Sequence, residues 1–168
     1  MVAEPRSRRH DDDFDELRQR PGPSAGGIDP RGWCLANLFG QHTRVLSVDA
    51  AAAKLTVETP RAARGGLIYQ TIFRIDAHRD LAKPTLVLDP GWFDGLTINT
   101  VEPDSVTWSQ KDGRNTVALE PIAAGDHFVL RFQYQVNPTV LGHRTQNVVL
   151  ADGESDLATL EHAQRIYP

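Results

Sequence analysis

The sequence predicts an all-β protein: an Ig-like antiparallel β-sandwich of about 7–9 strands with a disordered N-terminal tail. Three observations predict it. From residue 41 onward, short runs rich in Val, Ile, Thr and aromatic residues recur, separated by turn signals at roughly 8–12-residue spacing. One of these runs, "HFVLRFQYQV" (His127 to Val136), alternates without a break: Phe128, Leu130, Phe132, Tyr134 and Val136 on one face, Val129, Arg131, Gln133 and Gln135 on the other. That period of two marks a half-buried strand with one wet face. No stretch reads as a convincing helix. A closed barrel is the alternative architecture.

Residues 1–40 differ from the rest. They hold six Arg and seven Asp or Glu around the stretch "RPGPSAGGIDPRG". Such a segment buries too little apolar surface to offset its ordering entropy, so a polar, disordered tail is expected. Within it, "GWCLANLFG" (Gly32 to Gly40) is apolar but too short to span a bilayer. The domain is expected over residues 41–168.

Along that domain, "HTRVLSVD" and "KLTVET" are β-rich runs on either side of the alanines Ala50 to Ala53. In "LIYQTIFRID", Leu67, Tyr69, Phe73 and Ile75 share one face. "SVTWSQ" and "NTVALE" flank Asp112-Gly113, and "TQNVVLAD" runs into Asp152-Gly153. Both dipeptides predict hairpin turns, because Gly adopts positive φ without steric cost. "LGHRTQ" (Leu141 to Gln146) is polar and reads as a loop, from which His143 and Arg144 could face a partner, a solvated loop being the plainer reading. The closing "DLATLEHAQRIY" reads as a strand at a sheet edge.

Composition excludes several classes of function. The formal net charge is -4, which argues against bulk attraction to nucleic acid or to an anionic surface. Cys34 is the single cysteine, so neither an intrachain disulfide nor a Cys-based zinc site is available. The six histidines have no helix-face metal spacing, and there is no Gly-x-Ser-x-Gly elbow and no phosphate-cradling glycine loop. The reading is non-enzymatic, with no catalytic residue, cofactor or metal. No run of about 18 apolar residues reads as a membrane helix, and no apolar core follows the N-terminal arginines as in an export signal.

The candidate site lies in "KPTLVLDPGWFDGLTINTVEPD" (Lys83 to Asp104). Pro90 ends one strand because it cannot donate to a ladder. Asp89 is suited to an Asx turn, and Gly91 and Gly95 to positive φ. Trp92 and Phe93 exceed what a turn requires. Trp92, Phe93 and Asp94 are therefore the expected partner-contact residues, against the plainer reading that an aromatic caps the open end of the sandwich. Asp89 and Asp94 with Asp76 or Asp80 are the oxygen ligands a calcium site would use. A ligand-binding domain for glycan or calcium is accordingly one alternative function, and a soluble cytoplasmic interaction module another.

Three stretches carry a resemblance: "ARGGLIYQTIFRIDAHRDLAKPTLVLDPGWFDGLTINTVEP", "PIAAGDHFVLRFQYQVNPT" and "GHRTQNVVL". With "LFGQ" (Leu38 to Gln41) they resemble a group of uncharacterised actinobacterial proteins, from about Leu38 to Pro168. The resemblance implies a short basic tail, one transmembrane helix and an extracytoplasmic β-sandwich. Where that group carries its helix, this chain has "PGPSAGGIDPRGWCLAN". The implied location is the outer face of the cell membrane, and the implied partner an unidentified envelope protein. The resemblance supplies no catalytic residues.

Overall fold

Alternation and burial agree residue for residue in the central strands. The computed structural model describes residues 42–111 and 113–168; the expected tail lies outside them. The described residues contain thirteen strands in three sheets. The first sheet runs in the order β1 (Thr43–Asp49), β2 (Ala53–Pro60), β4 (Ile68–Ala77), β9 (His127–Val136), β6 (Leu96–Glu102). The second runs β12 (Ser155–Leu160), β11 (Val148–Asp152), β5 (Pro84–Leu88), β8 (Arg114–Ala118), β7 (Thr107–Lys111). A smaller third sheet joins β10 (Gly142–Thr145), β13 (Ala163–Tyr167) and β3 (Ala62–Arg64).

The five-stranded sheets face one another over a single core. Leu55, Phe73, Ile75, Leu130, Phe132 and Tyr134 come from the first, Leu86, Leu88, Val117, Val148 and Leu150 from the second. Each belongs to the inward set of a strand with period two, so one face of each sheet is removed from water. Aromatic rings thicken the centre: Phe73 meets Phe132 edge-on at 5.7 Å, and Phe132 stacks on Tyr134 at 5.6 Å. Fully buried aromatic side chains of this size supply the largest share of the transfer energy per residue.

The hairpins expected at Asp152-Gly153 and around Gly113 form: β11 pairs with β12 and β7 with β8, with φ of 63° at Gly153 and 75° at Gly113. Four expectations need correction. The strands outnumber the expected 7–9, because elements of three and four residues are too short for a periodicity to register. "LGHRTQ" is not a plain loop: it contains β10, whose backbone pairs with β13 from Gly142↔Ile166 to Thr145↔Ala163. The closing segment is two strands, broken at Glu161 and His162, and not one. The sandwich is not purely antiparallel, since β13 and β3 run parallel from Arg165↔Ala62 to Tyr167↔Arg64. Among the described residues, no helix is long and apolar enough to cross a membrane.

Candidate binding groove at the Pro90 turn

The knot between β5 and β6 is a single 3-10 turn, Pro90–Trp92. Pro at its first position fixes φ where no N–H donor is needed. The turn closes through Trp92 N–H donating to the Asp89 carbonyl (3.1 Å) and Phe93 N–H to that of Pro90 (2.8 Å). Asp89 does not build the expected Asx turn: its side chain makes no capping hydrogen bond. Its carboxylate instead faces the Arg114 Nε at 3.3 Å, across the β5–β8 pair. Gly91 does not have positive φ either; Gly95 does, at 67°. Gly91 is required by proximity, because a Cβ there would collide with the Thr145 carbonyl oxygen of β10.

The three expected contact residues part company. Trp92 is fully buried, 0% exposed, packed edge-on to Phe73 at 5.1 Å. Its Nε1–H donates to the Asn147 carbonyl at 3.0 Å, and Asp89 N–H donates to the same oxygen at 3.1 Å. This burial corrects Trp92 as a contact residue: the indole satisfies its one donor inside the core and presents nothing to a partner. Phe93 is half-buried against Trp108 of β7 (5.8 Å). Only Asp94 is exposed. Trp108 reads in the sequence simply as an alternating strand position, with nothing to mark it as a neighbour of the turn.

Asp94 lines an open groove of about 500 Å³ between the turn and the β10 edge. Its other walls are Asp89, Gly95, Val140, His143, Arg144 and Thr145 among the lining residues. Arg144 and His143, which the sequence offers as loop residues that could face a partner, both stand on this groove. The Arg144 Nη1–H donates to the Asp94 carbonyl oxygen at 2.6 Å, tying β10 to the turn. Partial burial lowers the Arg144 pKa from its ordinary value, while Tyr69 and Asp94 act to raise it. The guanidinium remains charged at neutral pH, since its ordinary value is so high. The expected calcium ligands do not form a cluster: among the described residues no three His, Cys, Asp or Glu gather around a point. Asp80 Oδ1 accepts from the Ala124 N–H at 2.8 Å, and Asp89 serves Arg114.

Behind the groove lies a buried polar cluster. Gln146 Nε2 donates to the Gly91 carbonyl (3.3 Å) and to Gln164 Oε1 (3.4 Å), while Tyr69 Oη–H donates to the same Gln164 oxygen (3.3 Å). Gln164 Nε2 donates to the Pro60 carbonyl at 3.0 Å. Burial pushes the Tyr69 pKa up to about 12, against the hydrogen bonds from Gln164 and Gln146, and raises that of fully buried Tyr134 well above its ordinary value. The sign follows from linkage. A hydroxyl whose folded pKa is raised contributes its full stabilisation below pH 10, and loses it as pH climbs from about 10 through about 12. The domain is therefore expected to melt at falling temperature across that window, with tyrosinate absorbance appearing together with unfolding. Tyrosinate formed by Tyr69 in a still-folded chain near pH 10 would contradict this.

No protein-family model matches the chain, and no curated protein does. Solved structures with a similar strand arrangement include a non-cellulosomal cohesin from the hyperthermophilic archaeon Archaeoglobus fulgidus. It is 14% identical, over 75% of this chain and 91% of that one, with a TM-score of 0.41. CaCohA2 of Clostridium acetobutylicum is 13% identical, over 71% and 94%, with a TM-score of 0.47. A CARDB domain from Pyrococcus furiosus, solved in complex with di-metal ions, is 12% identical, over 71% and 93%, with a TM-score of 0.42. These are likenesses of strand arrangement alone, and function rests on the site's own residues.

Proposed function

We propose that this chain is a non-enzymatic binding module at the outer face of the cell membrane, holding an envelope protein in the groove between the Pro90 turn and β10. The groove itself supports the reading most directly: an open cleft with mixed polar and apolar walls and a half-buried guanidinium tethered in place by the Asp94 carbonyl. A guanidinium held by one hydrogen bond keeps further donors in a planar fork, suited to a partner carboxylate or carbonyl row. The groove walls are backbone of a hydrogen-bonded turn and strand, so the site is formed before a partner arrives, which lowers the ordering cost of binding.

The test places a photo-crosslinking residue at exposed His143, on the groove wall, and at Gln70, an exposed position in β4, in cells that encode this chain. A discrete membrane-fraction adduct from position 143 and none from position 70 is the expected result. Arg144→Ala should weaken that capture about tenfold, the scale of one charge-assisted hydrogen bond. Identical adducts from both positions, or capture indifferent to Arg144, would remove the groove from consideration.

A further inference from the structure

Three chain segments meet at one end of the domain: residues 61–68, 137–145 and 163–168. Gly65 N–H donates to the Tyr167 carbonyl (2.9 Å), Gly66 N–H to that of Val136 (2.8 Å), and Gly142 pairs with Ile166. Together these segments carry Arg61, Arg64, Arg144 and Arg165 and contain no Asp or Glu, in a chain whose net charge is -4. Positive charge is therefore gathered in these segments, with Asp89 and Asp94 adjoining them only through the groove that they line with Arg144.

Apolar side chains are stranded beside those cations. Ile68 is 51% exposed, Leu141 59% and Tyr167 42%. Tyr167 belongs to β13 of the third sheet, Leu141 precedes β10 of that sheet, and Ile68 starts β4 of the first. Ile166 and Gln164 of β13 point inward, while Arg165 and Tyr167 point outward. Across the ladder His143 sits opposite Arg165, and Arg64 opposite Tyr167. The Arg165 guanidinium lies over the Tyr167 ring, 5.0 Å from its centroid. Leu141 precedes Gly142 at the outer end of β10, and Ile68 begins β4 just after the Gly65-Gly66 turn. The outer end of the third sheet thus carries Leu141, Tyr167 and Arg64 together, with the Arg165 and His143 row about 6.6 Å behind it, two residues along a strand.

We infer that this end of the domain docks directly onto an anionic lipid bilayer. The layering decides between a bilayer and a flat acidic protein. Apolar tips buried on the order of 5–10 Å at the headgroup boundary, with the Arg165 guanidinium level with the phosphates and that of Arg64 reaching back to them on its long stem, match a membrane interface in depth as well as in sign. Tyr167 suits that boundary, having an apolar ring and a polar tip. The inference does not need the groove partner, and its test leaves His143 and Arg144 unchanged, so either reading can fail alone.

The full chain is sedimented with vesicles of phosphatidylcholine containing about one-third phosphatidylglycerol, and with phosphatidylcholine alone. Binding to the first and little to the second is expected. Arg64→Ala with Arg165→Ala should lower the partition coefficient on the order of 20-fold. Ile68→Ser with Leu141→Ser should abolish most of what remains at physiological salt. Val45→Ser, at an exposed apolar position of β1, should change nothing. All these positions are exposed, and unchanged melting temperatures verify that each variant is folded. No sedimentation by the wild type overturns the proposal, as does binding equal in the wild type and either double variant. Capture of soluble polyglutamate without vesicle binding would also overturn it, assigning the face to an acidic protein.

Discussion

Trp92→Ala is expected to lower the stability of the domain by about 3–5 kcal/mol, the range for removing a buried aromatic from a packed core. The indole is fully buried, meets Phe73 edge-on at 5.1 Å, and fixes the 3-10 turn to Asn147, the residue before β11, through its carbonyl. Its loss removes an aromatic contact, a hydrogen bond and the plug at one end of the core together. Against a total stability of order 5–15 kcal/mol, that is a large fraction. Phe93→Ala, at the neighbouring half-buried position, should cost only about 1–2 kcal/mol. Urea unfolding followed by tryptophan-independent circular dichroism measures both. A midpoint for Trp92→Ala equal to that of the wild type would show that the indole is not part of the core.

The contrast between these adjacent aromatics shows where sequence reasoning stops. A turn rich in Pro, Gly and Asp was legible, because each residue type has a local backbone preference. Which aromatic turns inward was not, since that depends on the 3-10 geometry and on the distant Asn147. The long strands β4 and β9 were legible for the same reason the turn was: ten residues of strict alternation have one plausible meaning. The third sheet was not. β3 and β10 have three and four residues, and their pairing with β13 links positions about a hundred residues apart for β3. Arg144 was legible only as a loop residue that could face a partner, since a strand that looks like a loop makes its side chain look solvated. Asp94 was legible as an exposed carboxyl, yet its contribution to Arg144 is through its backbone carbonyl, which any residue could supply.

Gly91→Ala should be nearly as damaging as the loss of Trp92, for a reason unrelated to glycine's conformational freedom. The backbone at position 91 lies outside the left-handed region, so alanine is allowed there on torsion alone. The added Cβ would instead collide with the Thr145 carbonyl oxygen and lie 2.9 Å from its carbon. Backbone cannot rotate away as a side chain does. Thr145 is held by its pairing with Ala163, and the next residue, Gln146, donates N–H to the His162 carbonyl at 2.8 Å. Either the turn or β10 must therefore shift, and the shift would also stretch the Gln146 amide from the Gly91 carbonyl and disturb the seat of Trp92. Overpacking of this kind costs about 1–3 kcal/mol even where side chains share the strain, so about 3 kcal/mol or more is expected here. Gly113→Ala is the control. Its φ is 75° and nothing lies within 4 Å of its added Cβ, so it carries only a left-handed cost of about 1–2 kcal/mol. Chemical denaturation of the two variants separates the mechanisms. If Gly113→Ala proves the more damaging, the close approach of turn and β10 is not what fixes the groove. If Gly91→Ala does, the groove is built by contact between two backbones, and a partner meets walls already in place.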